Sequence, residues 1–358
     1  MTVKIGTRVL TDSRNKIDRR VLKNISDQIS KLMDEGIEVI IVSSGAIGAG
    51  LGLLDLRKKK KSLSELQAIA SVGQSHLMDM YNGYFGKNGH VAGQILLTQE
   101  DFNDRRRFLN IRYTINTLLK YRAVPIINEN DSISTDEIKC GDNDRLSSLV
   151  ADLAGSDMLI ILTDVEGLAD RDGKLVKNVE AVTDDIMSMC RPQKGCQEST
   201  GGMITKLEAV RNATRSGICC VIARGRKKDI VLDIVNGKEC GTKFNAFSKK
   251  IKARKRWIGY TTRSKGKIVI DQGAVSALSG GNKSLLPSGI ISVEGKFDDG
   301  DVVDIVASGG RVIAKGVTNY TFKEIGKIKG LRSEQIEKIL GYKDYDEVIH
   351  RDNLVIIG

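Results

Sequence analysis

No run of 18 apolar residues occurs anywhere in this 358-residue chain, so a membrane-spanning helix and a membrane partner are not expected. The N-terminus enters VKIGTRVL directly, without the pattern of a secretory signal. There are three histidines and six cysteines, at 140, 190, 196, 219, 220 and 240, with no C-x-x-C pair. That disfavours a zinc site and a disulfide framework, and it implies free thiols in a reducing, cytoplasmic compartment. Aromatic residues make up 4%, too few for an RNA-stacking platform. Several nucleotide-binding signatures are also missing. None of the Gly-Lys pairs is followed by Ser or Thr, which excludes a P-loop, and Leu53 stands where a dinucleotide fingerprint beginning at Gly48 needs its third glycine. His350-Arg351-Asp352 mimics a protein-kinase catalytic loop, but Ile357 occupies the position of the required Asn and the Gly-rich loop is absent.

What is present is globular: 41% hydrophobic and 28% charged, with length enough for two domains. The net charge of +11 is unevenly placed. Residues 266–358 hold 12 basic and 13 acidic side chains, whereas 223–256 hold 12 basic and 3 acidic ones, ending in KKIKARKR. Such a run is a solvated surface, an anion-attracting face or a nucleic-acid patch.

The first 235 residues alternate apolar strand-like runs with longer helical patterns. The strands are expected at Val3–Leu10, Glu38–Ser43, His90–Leu97, Val124–Asn128, Met158–Thr163 and Cys219–Ala223. Helices are expected near 15–35, 62–86, 104–121, 144–155 and 203–216. This alternation predicts an α/β fold with a mostly parallel sheet sandwiched between helices. After Trp257 short alternating segments, at 267–271, 289–294, 302–306 and 311–317, predict a small β-rich domain, followed by a helix over 323–340. The expected division is 1–256, a linker at 257–265, a second domain at 266–348 and a tail at 349–358.

The chemistry concentrates at the carboxyl ends of the expected strands, where ligands of parallel sheets bind. NENDSISTDEIKCGDNDR, from Asn128 to Arg145, packs six carboxylates and three asparagines between an apolar strand and a helix. That composition is poor packing material and good ligand-binding material. Lys4-Ile5-Gly6-Thr7 places a lysine beside a glycine at the end of the first strand. SSGAIGAG at 43–50 and TGGMITK at 200–206 are Gly-rich turns opening helices, where backbone N–H groups stabilise phosphate or carboxylate.

In combination and order, KIGTRVLT, VSSGAIGAG, INENDSIST with GDNDRLS, LTDVEGL and TGGMITKL resemble the glutamate 5-kinase family of the amino-acid kinase superfamily. VIDQGAVSAL, GIISVEGKF and GDVV resemble the PUA domain that its bacterial members append. The resemblance implies the amino-acid kinase fold and ATP-dependent phosphorylation of the L-glutamate γ-carboxylate, the opening step of proline biosynthesis. It also implies Mg²⁺, proline as feedback inhibitor and a homo-oligomer, dimer or tetramer. By position it implies that Lys4 and Lys206 flank the transferred phosphoryl group and that Asp144 orients them. Ser44, Asp131 and Asn143 would bind glutamate, with Asn128 and Asp142 in support. Thr163, Asp164 and the loop Thr200, Gly201, Gly202, Met203, Ile204, Thr205 and Lys206 would bind ATP, together with Lys4. The metal ligands stay unassigned. An RNA-binding or RNA-modification factor using the PUA-like tail and the basic run is the alternative. The near-neutral tail and the scarcity of aromatics argue against RNA as a partner.

Overall fold

The computed structural model describes residues 1–12, 16–56, 61–134, 142–189, 200–247, 257–280 and 283–357. Positions 135–141 of the acidic loop, the basic run 249–256 and Cys140, Cys190 and Cys196 lie outside the described residues. The chain divides into two compact units, Met1–Lys250 and Ile251–Gly358. No helix among the described residues is long and apolar enough to cross a membrane.

The first unit is built on a sheet of β1 (Thr2–Ile5), β2 (Ile40–Ser43), β3 (Val91–Leu97), β4 (Ala123–Glu129), β5 (Met158–Thr163), β6 (Asn178–Val179), β7 (Cys219–Arg224) and β8 (Thr242–Phe244). Their order is β3-β4-β2-β1-β5-β7-β8-β6, and every pairing is parallel except β7 with β8. The helices are α1 (Thr7–Leu10), α2 (Arg19–Asp34), α3 (Ala46–Leu53), α4 (Leu63–Lys87), α5 (Arg105–Lys120), α6 (Asp142–Ala154), α7 (Asp184–Met189), α8 (Thr200–Arg215) and α9 (Ile230–Val235).

Both faces of the sheet are covered, and the period-2 alternation of the strands decides which residue goes where. Val3, Ile5, Ile160 and Leu162 pack in one core with Leu22, Ile25 and Ile29 of α2 and Leu77 and Tyr81 of α4. Leu159 and Ile161 face the other way, with Ala151 of α6 and Leu207, Val210 and Ala213 of α8. The chain runs from β1 outward to β2, β3 and β4, then returns past β2 and β1 to form β5 on the far side. Helix α6 makes that return and packs on β1, β2, β4 and β5. Its N-terminus therefore starts beside the carboxyl ends of strands at a topological switch point.

The expected strand Val3–Leu10 is cut short at Ile5. Gly6 N donates to Leu162 O at 3.0 Å, and the Gly6 carbonyl accepts from Val9 N and Leu10 N, which starts α1. The short strands β6 and β8 leave no periodic signal in the sequence, and α3, the helix opened by the Gly-rich turn at 43–50, consists largely of small residues. Those small residues matter for packing. A Cβ on Gly73 of α4 would stand 1.8 Å from Ala46 O and 2.4 Å from Gly50 N, so the two helices touch backbone to backbone.

The second unit holds a sheet of β9 (Gly266–Ile270), β10 (Ile290–Gly295), β11 (Val302–Ala307), β12 (Val312–Val317) and β13 (Leu354–Ile356), in the order β10-β9-β11-β12-β13. Its core joins Ile268, Ile270, Val303, Ile305 and Ala314 to residues of α10 (Gln272–Ser279), α11 (Phe322–Ile328) and α12 (Ile336–Leu340). The helix expected over 323–340 breaks into α11 and α12, because the chain leaves helical geometry at Lys329 before Gly330. Residues 349–358, expected as a tail, supply β13, which pairs antiparallel with β12. In the expected linker, the turn Trp257–Thr261 packs on β12 and β13.

Two glycines of α4 give opposite expectations. Gly73→Ala must push α3 and α4 apart and should destabilise the protein by at least about 2–3 kcal/mol. Gly83 is exposed with open space around it, so Gly83→Ala should stabilise by up to about 1 kcal/mol through helix propensity alone. Urea unfolding of the two variants beside the parent measures both.

Candidate active site

The site begins with the alternation of β1. Val3 and Ile5 point into the apolar core, so Thr2 and Lys4 must face α6. Thr2 Oγ1 lies 2.8 Å from Ser156 Oγ, just beyond the end of that helix. Lys4, 5% exposed, reaches the helix's first turn, where its Nζ sits 2.5 Å from Asp144 Oδ1.

Asp144 is 1% exposed and is the hub of the group. Its second oxygen, Oδ2, accepts from Lys206 Nζ at 3.1 Å and from Thr205 Oγ1 at 2.9 Å, both from the first turns of α8. Lys206 Nζ also donates to the carbonyl of Gly202 at 2.9 Å. An ammonium has three N–H donors, so among the described residues one donor of Lys206 is left over for a ligand. Burial pushes the Asp144 carboxyl up, but the charges of Lys4 and Lys206 and their hydrogen bonds outweigh it and hold the group below its ordinary value. Asp144 is therefore an anion at neutral pH. Two ammonium groups against one carboxylate leave a net positive, largely water-excluded centre, suited to developing charge on a phosphoryl group.

Next to it lies an amide cluster. Asn143 Nδ2 donates to Ser44 Oγ at 3.0 Å and to Asn128 Oδ1 at 3.1 Å. Asn128 Nδ2 donates in turn to Gln74 Oε1 at 2.8 Å. These side chains come from α6, the turn after β2, β4 and α4. Ser44 precedes Gly45, whose φ of +100° is open to glycine at little cost and starts α3. Because Asn143 and Asp144 are consecutive on α6, the amide cluster and the cationic centre are adjoining parts of one site.

At the end of β5, Thr163 Oγ1 donates to Asp164 Oδ1 at 3.1 Å, and Arg8 Nη1 bonds Asp164 Oδ2 at 3.1 Å. Burial raises the Asp164 carboxyl, while Arg8 and further hydrogen bonds bring it below its usual range. The Thr163 carbonyl accepts from Gly225 N at 2.8 Å, which ties this end of the sheet to the turn after β7.

Lys4, Lys206, Asp144 and Thr205 thus meet in one group, and Ser44, Asn143 and Asn128 in a second. Thr163 and Asp164 form a third with Arg8. Met203 and Ile204 pack half-buried against the core under α8. Asp131 stands in the turn after β4, three residues past Asn128. Asp142 opens α6, and Thr200 and Gly201 open α8; nothing is described of their side chains. Sequence reasoning missed Gln74, Arg8 and Tyr81, whose hydroxyl lies 2.8 Å from Ser43 Oγ. The available signal for Gln74 was a polar side chain, 8% exposed in the structure, within an otherwise apolar face of α4.

Residues 2–224 match the amino acid kinase family and residues 266–340 the PUA domain. The chain is 45% identical to the glutamate 5-kinase of Thermoanaerobacter sp. (strain X514), over 100% of this chain and 97% of the relative. It is 44% identical to that of Syntrophus aciditrophicus (strain SB), over 99% and 93%. Among solved structures, the carbamate kinase of Giardia superposes with a TM-score of 0.50 at 19% identity, covering 69% of this chain and 98% of that one. An N-acetylglutamate synthase from Neisseria gonorrhoeae gives 0.51 at 11% identity, covering 69% and 59%.

Removing the hub leaves two cations facing one another in a buried place. Asp144→Asn should therefore cost about 3–5 kcal/mol of stability at pH 7. The sign of the pH dependence follows from the depressed carboxyl: its contribution is complete above the ordinary value of 3.8 and is lost as pH falls through the lower folded value. Urea midpoints of the parent protein and of Asp144→Asn should differ widely at pH 7 and converge as the pH is lowered below about 4. A gap that stays constant down to pH 2 would mean that Asp144 is not held as a paired anion.

Proposed function

The chain belongs to the amino acid kinase family, among the glutamate 5-kinases, and from that membership we propose how its residues carry the reaction. ATP phosphorylates the γ-carboxylate of L-glutamate. A γ-carboxylate oxygen attacks the terminal phosphorus, the bond from that phosphorus to the ADP oxygen breaks, and an acyl phosphate forms. Such a transfer needs in-line positioning and neutralised charge more than covalent help from the protein.

In this reading Lys4 and Lys206 flank the phosphoryl group in transit as compact point charges, and Asp144 holds both stems at a set separation. Ser44, Asn128, Asn143 and Asp131 hold glutamate, with Asp131 on the α-ammonium and Asp142 in support. Thr163, Asp164 and the turn Thr200, Gly201, Gly202, Met203, Ile204, Thr205 and Lys206 hold ATP. The Gly202 carbonyl also holds Lys206, and the Thr205 hydroxyl also holds Asp144. Mg²⁺ would come bound to ATP, held by substrate phosphates, its own waters and one or two carboxylates, and would supply neutralisation of charge on the phosphate oxygens. Proline as a competitor for the glutamate site and assembly into a dimer or tetramer belong to the same reading. What carries the reading is the contiguity of the Lys4–Asp144–Lys206 centre with the Asn143–Ser44–Asn128 cluster on one helix end. Full-length similarity to glutamate 5-kinases favours it over an RNA-binding role for the chain.

A hydroxamate assay tests it: glutamate, MgATP and hydroxylamine should give γ-glutamyl hydroxamate, with acetylglutamate and aspartate far poorer acceptors. Equal or better turnover of acetylglutamate would move the chain to another acyl-phosphate-forming kinase. The residue roles separate kinetically. Lys206→Ala should lower kcat about 100-fold or more with little change in the KM for glutamate. Asp131→Ala should raise the glutamate KM about 10- to 150-fold and leave the ATP KM nearly unchanged. Equal weakening of both substrates by Asp131→Ala would remove that residue from the amino-acid site.

A further inference from the structure

Helix α4 carries Gln67, Ser71 and Gln74 at spacings of four and three residues, hence on one face. All three meet the segment that contains Asn128 and Asp131. Gln67 Nε2 donates to the Ser134 carbonyl at 3.0 Å, the Ser71 and Ser132 hydroxyls lie 2.8 Å apart, and Gln74 Oε1 accepts from Asn128 Nδ2 at 2.8 Å. The turn is closed on its other side by Asn130 N on the Leu97 carbonyl and by Ser134 N on the Asn130 carbonyl. Helix α4 cannot slide to relax these bonds, because Gly73 is pressed against the backbone of α3, the helix that Ser44 and Gly45 lead into. One helix thus braces both the Ser44 turn and the Asn128–Ser134 segment.

The direction of every amide in this chain of bonds is set by the backbone. Glu129 N–H is a donor and lies 2.9 Å from Asn128 Oδ1, so that atom must be the oxygen and Asn128 Nδ2 must donate to Gln74 Oε1. For the same reason Asn143 turns its Nδ2 toward Asn128 Oδ1. Two ends remain, Asn143 Oδ1, an acceptor, and Gln74 Nε2, a donor. Both atoms are buried and neither has a partner among the described residues. A buried polar atom left without a partner is costly, and a site that binds a polar ligand is where that cost is recovered. An α-amino acid brings an ammonium that needs acceptors and carboxylates that need donors.

We propose that Gln74 is a positioning residue for the amino-acid substrate. By locking Asn128, and through it Asn143, it presets Asn143 Oδ1 as an acceptor for the substrate's α-ammonium, while Gln67 and Ser71 hold the turn that bears Asp131. The inference rests on the reading of this site as the one that binds glutamate. It adds specificity for the α-amino group from a helix that supplies none of the residues assigned to the reaction.

The test compares glutamate with glutarate, which keeps both carboxylates and lacks the ammonium. Hydroxamate formation gives the KM for glutamate and for ATP, and inhibition by glutarate gives its Ki. In Gln74→Leu the glutamate KM should rise about tenfold or more, with the glutarate Ki and the ATP KM within about threefold of the parent. Gln74→Glu keeps an oxygen for Asn128 and should recover much of the loss. Ser71→Ala and Gln67→Leu, at the more exposed end of the row, should show the same pattern more weakly, and they carry the test if Gln74→Leu does not fold. Unchanged glutamate KM in these variants, or equal weakening of glutamate, glutarate and ATP, overturns the inference. A parent protein that makes no hydroxamate from glutamate and ATP overturns the functional reading, and this inference with it; a parent active on glutamate with indifferent α4 variants overturns only the inference.

Discussion

One buried carboxylate, that of Asp144, sets the geometry on which the rest of the site depends. Two ammonium groups cannot be held close together inside a protein unless an anion lies between them, and that anion must itself be kept ionised against desolvation. The fold supplies each partner from a different element. The alternation of β1 turns Lys4 toward α6, the return path of α6 over the sheet starts Asp144 at the strand ends, and the first turns of α8 deliver Thr205 and Lys206. Withdrawing α6 would leave two cations without their anion, so the centre depends on the path of that helix over the sheet.

The neighbouring amide cluster follows a different logic. It holds neutral groups whose hydrogen-bond directions are propagated from one backbone N–H, and its rigidity comes from packing. The contact of Gly73 with α3 leaves no room for a methyl group, which fixes α4 against the turn that bears Ser44. Charge stabilisation for phosphoryl transfer and recognition of an amino acid are thereby built from separate side chains that share the N-terminal turn of α6.

Much of this was legible in the sequence because the strands of a buried parallel sheet are continuous apolar runs and the polar residues interrupting them stand out. The stretch Asn128–Arg145 and the Gly-rich turn that carries Lys206 stood out in that way, and the roles of Asn128, Asn143, Asp144 and Lys206 followed from resemblance to a known family. The partners they choose were less legible. Nothing local in the sequence separates Asp144 from Asp142; only the assembled fold shows that Asp144 meets Lys4 and Lys206. Gln74 lies 54 positions from the asparagine it bonds, and only the crossing of α4 with α3 brings it there. The end of β1 at Ile5 was hidden because Thr7–Leu10 is as apolar as a strand; the hydrogen bond of Gly6 to Leu162 decides it. In the second unit the strand at 354–356 was too short for its pairing with β12 to be read.

The central claim is that the cation pair organised by Asp144 acts on the phosphoryl group in transit more than on bound substrates. Calorimetry on Lys206→Ala and the parent tests it directly, comparing the affinity of a non-hydrolysable ATP analogue with that of ADP plus aluminium fluoride, both with glutamate and Mg²⁺ present. The account predicts that the substitution weakens the fluoride complex about 100-fold or more and the ATP analogue only a few-fold. Equal weakening of the two ligands would contradict it, and would make Lys206 a residue that merely binds nucleotide.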